Sequence, residues 1–168
     1  MITKKSNEDV SKSIHDKDLL KAIALCRSKP VIFQNIRGIY HQLDRDIASV
    51  GAICLAGGNC CKFDLSDHHL YLTGIELALL TSRPPIDPAR INRRRCPYQL
   101  GPRCSAYPDR PIGCRTFFCK SPWAKHGQRL HEKYHRRIRE LHDALGVPYF
   151  YLELINCPAS LFKTSPPE

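Results

Sequence analysis

The chain contains no run of about 18 apolar residues, the length a membrane-spanning helix needs, so none of its 168 residues is expected to cross a bilayer. Its opening stretch, MITKKSNEDVSKSIHDKD, has no apolar segment of the kind a secretory signal carries. No internal repeat is visible, which sets repeat architectures aside. There is no C-x-x-C pair, although nine cysteines are present, so the commonest zinc-finger spacing is absent. Acidic residues almost vanish between positions 90 and 139, which hold two Asp/Glu against 14 Lys/Arg. Without a signal segment the expected compartment is a reducing cytoplasm, where structural disulfides are rare. Nine is also an odd number, so the thiols cannot all pair within the chain. Clustered cysteines in that setting point to a metal.

What is present fits one small domain with its own core. Hydrophobic residues make up 42% of the chain, near the globular norm. Thirteen prolines and nine cysteines add a loop-rich part held by something besides apolar burial. The net charge is +10, yet outside 90–139 the chain holds 12 Lys/Arg against 14 Asp/Glu. The positive excess therefore overlaps the cysteine-rich half. Such an excess attracts nucleic acid, and it would equally offset the negative charge of a thiolate-bound metal.

Periodicity places the elements. Residues 1–15 are polar and expected to be flexible. From Asp16, DKDLLKAIALCRS puts Leu19, Leu20, Ile23 and Cys26 on one side of a short helix, with Cys26 as a core thiol. Pro30 opens a second helix to about Ser49, with Ile32, Ile36, Tyr40, Leu43 and Ile47 inward and Arg37, Asp44 and Arg45 outward. GAICLAGGNCCKFDLSD reads as an irregular loop and LYLT as a short strand. Thr73 and Glu76 form a capping box that starts a helix running to Thr81. SRPPIDPARINRRR is a connection. Ser121 and Pro122 start the longest helix, 122–145, which Gly146 ends. Trp123, Leu130, Tyr134, Ile138, Leu141 and Leu145 form its apolar stripe, and it is expected to pack across the cysteine region or against helix 31–49. VPYFYLELI reads as a strand, and 158–168 as a flexible tail. The fold class is mainly α, with irregular cysteine-rich loops and a few short strands, a single domain over 16–157 organised around a metal site.

Seven cysteines lie in two loop-like blocks flanking the capped helix: Cys54, Cys60 and Cys61, then Cys96, Cys104, Cys114 and Cys119. Tetrahedral zinc or an iron–sulfur cluster each takes four thiolates, so seven exceed either need. In an extended segment neighbouring side chains point to opposite faces. One of Cys60 and Cys61 could then ligate while the other packs, or the two could face different metals. Pro97, Phe117 and Phe118 suggest an apolar shell, and Arg110 and Arg115 could donate hydrogen bonds towards sulfur from a second shell.

CLAGGNCC, LYLTGIE, CPYQL and CSAYPDRPIGCRTFFC, in that order over about residues 50–120, resemble the YkgJ-type cysteine-cluster family, a zinc- or iron-chelating domain with a C-x-x-C-x-x-C-C signature. Gly57 stands where that signature has its second cysteine, so one ligand candidate is missing, and Cys157 is a possible replacement. The resemblance implies metal chelation, with a 4Fe-4S iron–sulfur cluster ahead of zinc. The matching role is electron transfer or redox sensing with an unknown redox or protein partner. The alternative is a structural zinc protein whose basic face binds a nucleic acid or protein partner. The resemblance implies no particular reaction.

The long helix carries a rival motif, His131-Glu132-x-x-His135, which on a helix presents two histidines to one zinc with Glu132 as general base. Lys133, Arg136, Arg137 and Arg139 crowd it with positive charge, and no third ligand is obvious, although Glu153 lies at a workable distance in sequence. His131, His135 and His142 each follow a stripe residue, so they are expected to flank the apolar face. His68 and His69 are loop residues beside the short strand. On the basic region 90–139, Arg90, Arg93, Arg94 and Arg95 could contact phosphates while Tyr98 and Tyr107 stack on bases.

Overall fold

The short helix α4 (Gly74–Leu80) is buried along its whole length, and the rest of the chain is arranged around it. Its sequence GIELALL is apolar on every side except Glu76, the pattern of a central helix. The computed structural model describes residues 7–52, 54, 57–66, 69–92, 94–118 and 123–163, with the backbone alone for 7–14 and 66. In chain order the elements are α1 (Asn7–Arg27), α2 (Pro30–Ser49), α3 (Phe63–Ser66), β1 (Tyr71–Thr73) and α4. β2 (Gln99–Leu100), β3 (Arg103–Cys104), α5 (Ile112–Thr116), α6 (Ala124–Leu145) and β4 (Tyr151–Glu153) follow. The architecture is mainly helical with two small antiparallel sheets, β1–β4 and β2–β3. No helix among the described residues is long and apolar enough to cross a membrane.

α1 and α2 pack on α4, and α6 packs on α2 and α5. Leu19 and Ile23 of α1, Ile32, Ile36 and Leu43 of α2, and Tyr134 and Ile138 of α6 are buried against this centre. Each such side chain contributes about 1.5–3 kcal/mol of burial. The long helix therefore meets helix 31–49 as its stripe predicts. Tyr134 reinforces that contact by donating to Asp46 at 2.8 Å, and Lys133 adds a 2.7 Å ion pair to the same carboxylate. Those bonds, Lys133 first, hold the Asp46 carboxyl at about 2.

The capping box is present. The Thr73 hydroxyl accepts from the Glu76 N–H, and the Glu76 carboxylate accepts from the Thr73 N–H at 2.9 Å. At the other end of α4, Arg27 donates to the Thr81 carbonyl at 2.7 Å and to its hydroxyl at 2.9 Å. Gly146 ends α6 in a left-handed conformation (φ 62°), as its position predicts.

Several boundaries differ from the sequence pattern. α1 begins at Asn7, so residues 7–15 are helical. Once Leu19 and Ile23 anchor the helix, extension backwards adds one hydrogen bond per residue fixed. On α1 it is Ala22 rather than Leu20 that joins the buried side. The tail is also part of the structure. Leu161 and Phe162 are buried, the Phe162 carbonyl accepts from the Ile86 N–H at 2.9 Å, and its ring lies edge-on to Tyr98. The predicted strand 147–155 is reduced to Tyr151–Glu153, because its partner among the described residues, β1, is three residues long. α6 starts at Ala124, and the predicted Ser121–Pro122 cap lies outside the described residues. His142 does not flank the apolar face but is wholly buried. Its Nε2 faces the Ile75 N–H at 3.5 Å and its Nδ1 faces the Val147 carbonyl at 3.2 Å. A neutral ring protonated on Nδ1 satisfies both partners, and burial lowers its pKa in agreement.

Candidate metal centre

Three separate segments bring thiols to one place. After α2 the chain passes Cys54 and reaches Gly58, whose left-handed conformation (φ 70°) opens a tight turn, Asn59–Cys61. A Cβ at Gly58 would lie 2.9 Å from Gln99 Nε2 and 3.2 Å from the Pro102 carbonyl, so both backbone and space require glycine there. The second segment docks on the first through the Cys96 N–H, which donates to the Cys61 carbonyl at 2.9 Å, and through a bridge between Lys62 and Arg95. Cys104 follows on β3, and Cys114 lies on α5. Cys54, Cys60, Cys61, Cys96, Cys104 and Cys114 all line one cavity of about 570 Å³, together with Tyr98, Phe117, Phe118 and Trp123. Cys119 lies outside the described residues.

The remaining two cysteines are elsewhere. Cys26 is fully buried in the core, and burial, opposed by Lys29, pushes its thiol up to about 11. Cys157 is buried near β4, where its sulfur faces the Glu153 carbonyl at 3.5 Å. It does not line the cavity. Gly57 itself does line the cavity, and nothing lies within 4 Å of a Cβ built there.

Cys60 and Cys61 sit in a tight turn rather than an extended segment, so their side chains do not diverge. Their sulfurs are 3.9 Å apart. Two thiolates on one tetrahedral ion with bonds of about 2.3 Å would be about 3.8 Å apart. The pair therefore already has the separation of two ligands of a common metal. The Cys61 hydrogen bond, then burial, push the Cys60 thiol far up. For Cys61, the bond to Cys60 pulls down, but Cys96, burial and neighbouring thiols outweigh it and push it up to about 12. Burial first, then Cys60 and Cys61, raise Cys114 well above the usual thiol range. These thiols sense one another, and metal binding would release their protons. All eight described cysteines are free. Among the described residues, no group of three or more His, Cys, Asp or Glu side chains is arranged to hold a metal ion. The sulfurs line a common wall without meeting at a point, and their donor type suits zinc or an iron–sulfur centre.

The two candidate arginines behave differently. Arg110 lines the cavity, lies 3.6 Å from the Tyr107 ring centre and works against the rise that burial and neighbouring thiols impose on Cys60, Cys104 and Cys114. Arg115 does not reach for sulfur. Its guanidinium is buried over the Tyr40 ring and bonds Asp44 at 2.6 Å and the carbonyls of Arg110 (2.8 Å) and Pro108. It fastens the cysteine loop to α2. Asp109 does the same from the loop side: it is buried and bridges Arg37 and Arg83, each at 3.0 Å. Arg37 and Asp44, which periodicity places on a solvated face, are thus the anchor points of the cysteine block.

Sequence reasoning missed the second task of Glu76. Besides capping α4, this buried carboxylate accepts from the Thr73 hydroxyl at 3.1 Å, the Ile112 N–H at 2.8 Å and the Tyr40 hydroxyl at 3.3 Å. It thereby holds the start of α5, the helix that carries Cys114. Burial raises its pKa against the pull of those four donors. The Thr73-x-x-Glu76 pattern is readable, but a partner 36 residues away leaves no local signal.

Among the described residues the helix motif gathers no group of three metal ligands. The His131 and His135 rings are 5.7 Å apart on one face, but His135 bonds the Tyr149 hydroxyl at 2.8 Å and His131 faces the Thr116 hydroxyl at 3.4 Å. Glu153 is engaged by His69 at 2.7 Å and Asn156 at 2.8 Å. His68 and Arg93 lie outside the described residues. Tyr98 is buried with its hydroxyl on the Leu80 carbonyl at 2.9 Å, so it cannot stack on a base. Tyr107 is half exposed, under Arg110.

No family model, curated protein or solved structure matches the chain. The chemistry of the cavity is therefore judged on its residues: thiols from three segments, an apolar wall and a cation.

Proposed function

We propose that the chain holds a thiolate-ligated metal centre in the cysteine cavity, an iron–sulfur cluster of the 4Fe-4S type, and uses it for electron transfer or redox sensing in the cytoplasm. The observation that carries this reading is the convergence of six cysteines from segments up to 60 residues apart on one cavity, in a chain that keeps its other described thiols away from it. Cys60 and Cys61, spaced as co-ligands, would supply part of the shell, with the rest drawn from Cys54, Cys96, Cys104 and Cys114. The resemblance to the YkgJ-type family supports the same chemistry. Phe117, Phe118 and Trp123 would limit water, and Arg110 would offset the charge of the thiolates.

The test is purification without oxygen, followed by metal and sulfide analysis and a visible spectrum. Iron, sulfide and broad absorption near about 400 nm are expected. A colourless protein with stoichiometric zinc would replace this reading with the structural zinc alternative. A folded, metal-free protein indifferent to chelators would reject both. Cys114→Ser is expected to strip the metal, whereas Cys157→Ser is expected to leave it in place.

A further inference from the structure

The outer face of the β1–β4 pair presents a row of rings that the cavity does not use. In the register of this pair Tyr71 lies opposite Glu153 and Tyr151 opposite Thr73, so both tyrosines share one face while Leu72 points into the core. Each tyrosine is 42% exposed, and their rings stack 5.5 Å apart at 29°. The row continues onto α6: the His135 ring is 4.6 Å from Tyr151, and Tyr149, 37% exposed, bonds His135. Arg139, one turn beyond His135, lies over the Tyr149 ring at 5.4 Å. From Ala124 to Arg139 the helix carries six Lys/Arg against Glu132 alone. Among the described residues no carboxylate pairs with Lys125, Arg129, Arg136 or Arg139. The one acid on the sheet face, Glu153, is engaged by His69 and Asn156.

We propose that this face binds single-stranded RNA, with a base stacked on Tyr71, the ring that ends the row and is backed by Tyr151, and phosphates held by Arg136, Arg139 and their basic neighbours. Exposed rings are sequence-tolerant platforms for unpaired bases, and flanking cations track the backbone. A duplex hides its base faces and cannot use them. A groove of about 260 Å³ beside Tyr71 and Tyr151 is lined by Thr116, Gln128 and His131. These polar side chains stand beside the stacking rings, where a 2′-hydroxyl offers a donor and an acceptor that DNA lacks. The proposal is independent of the metal reading, because neither tyrosine lines the cysteine cavity.

The test is fluorescence anisotropy on the full chain with labelled oligouridine about 12 nucleotides long, the matching DNA strand and an RNA duplex. Single-stranded RNA is expected to bind tightest. Tyr71→Ala and Tyr151→Ala are each expected to weaken it about tenfold, while Tyr71→Phe and Tyr151→Phe keep the ring and the affinity. Arg136→Gln with Arg139→Gln, both exposed, is expected to flatten the salt dependence between about 50 and 200 mM. Metal content is expected to stay that of the wild type in all of them. Equal binding of duplex or DNA overturns the assignment, as does wild-type affinity in the tyrosine-to-alanine variants. Binding confined to anionic lipid vesicles overturns it too.

Discussion

The helical half and the cysteine half of this molecule are held together by different forces. Around α4 the contacts are apolar and periodic, and the helix ends are closed by Thr73, Glu76, Arg27 and Gly146. Around the cavity the backbone is a chain of tight turns, and the links to the scaffold are polar: Arg115 to Asp44, Asp109 to Arg37 and Arg83, Glu76 to Ile112. Burial is non-directional, so the scaffold does not depend on any one contact. The cysteine half depends on a few directed bonds, each of which places a segment that carries thiols. A scaffold that folds on its own and a loop region completed by the proposed metal would follow from this difference.

The two halves meet most directly at Glu76, where they share one carboxylate. Glu76→Ala is expected to cost about 3–5 kcal/mol, because four buried donors lose their acceptor. Glu76→Gln is expected to cost less, about 2 kcal/mol, since its amide turns donors onto donors. Denaturant unfolding measures both, and a loss below about 1 kcal/mol for alanine would remove Glu76 as the joint. Arg115→Ala comes next, at about 2–4 kcal/mol, and its effect is expected to be local. Hydrogen exchange should speed up over residues 105–116 while α1, α2 and α4 stay protected. Arg115→Lys is expected to rescue it only in part, because a single ammonium cannot serve a carboxylate and two carbonyls as a planar fork does.

A milder lever is pH. His142 is neutral and buried, with its pKa lowered by burial. The unfolded chain takes up the proton first, so this contribution to stability is complete above the ordinary imidazole pKa of about 6.5 and is lost as pH falls below it. His142→Gln is expected to flatten the pH dependence of stability on that acid side, and an unchanged slope would exclude His142 as its source. The smallest effect on the fold is expected from Gly57→Cys. That position lines the cavity in open space, so stability should move by less than about 0.5 kcal/mol. The added thiol should slow metal loss to a chelator. Unchanged retention would mean that the site does not use this wall.

The scaffold was legible because its signals are local. Isoleucines spaced by three and four residues, Thr73 three before Glu76, and Gly146 after a long stripe each specify structure within a few residues. The cavity was legible only as a list of thiols. Their convergence follows from pairings such as Cys61 with Cys96 and Glu76 with Ile112, which span 35 and 36 residues and leave no periodic trace. The turn at Asn59–Cys61 reversed the expectation for Cys60 and Cys61, since an alternating pattern applies only to extended chain. Arg115 and Tyr98 were misjudged for the same reason: residue type told what each could bind, and packing decided what it met. For Tyr98 the ring that would have stacked is covered by Phe162, in a segment expected to be loose.

Gly127, on the α6 surface that faces α5, sets how freely the cavity wall can adjust. A methyl group at this position would sit on the Thr116 carbonyl oxygen and press on the Phe118 ring at 3.0 Å. That carbonyl is main chain at the end of α5, not a side chain that can swing aside, so the end of α5 and α6 would have to move apart. Phe118 and Trp123, just after α5 and just before α6, border the cavity. The crossing thus works as a hinge pin without play: its tolerance is less than one methyl group, and the fit of the wall around the thiols is machined by it.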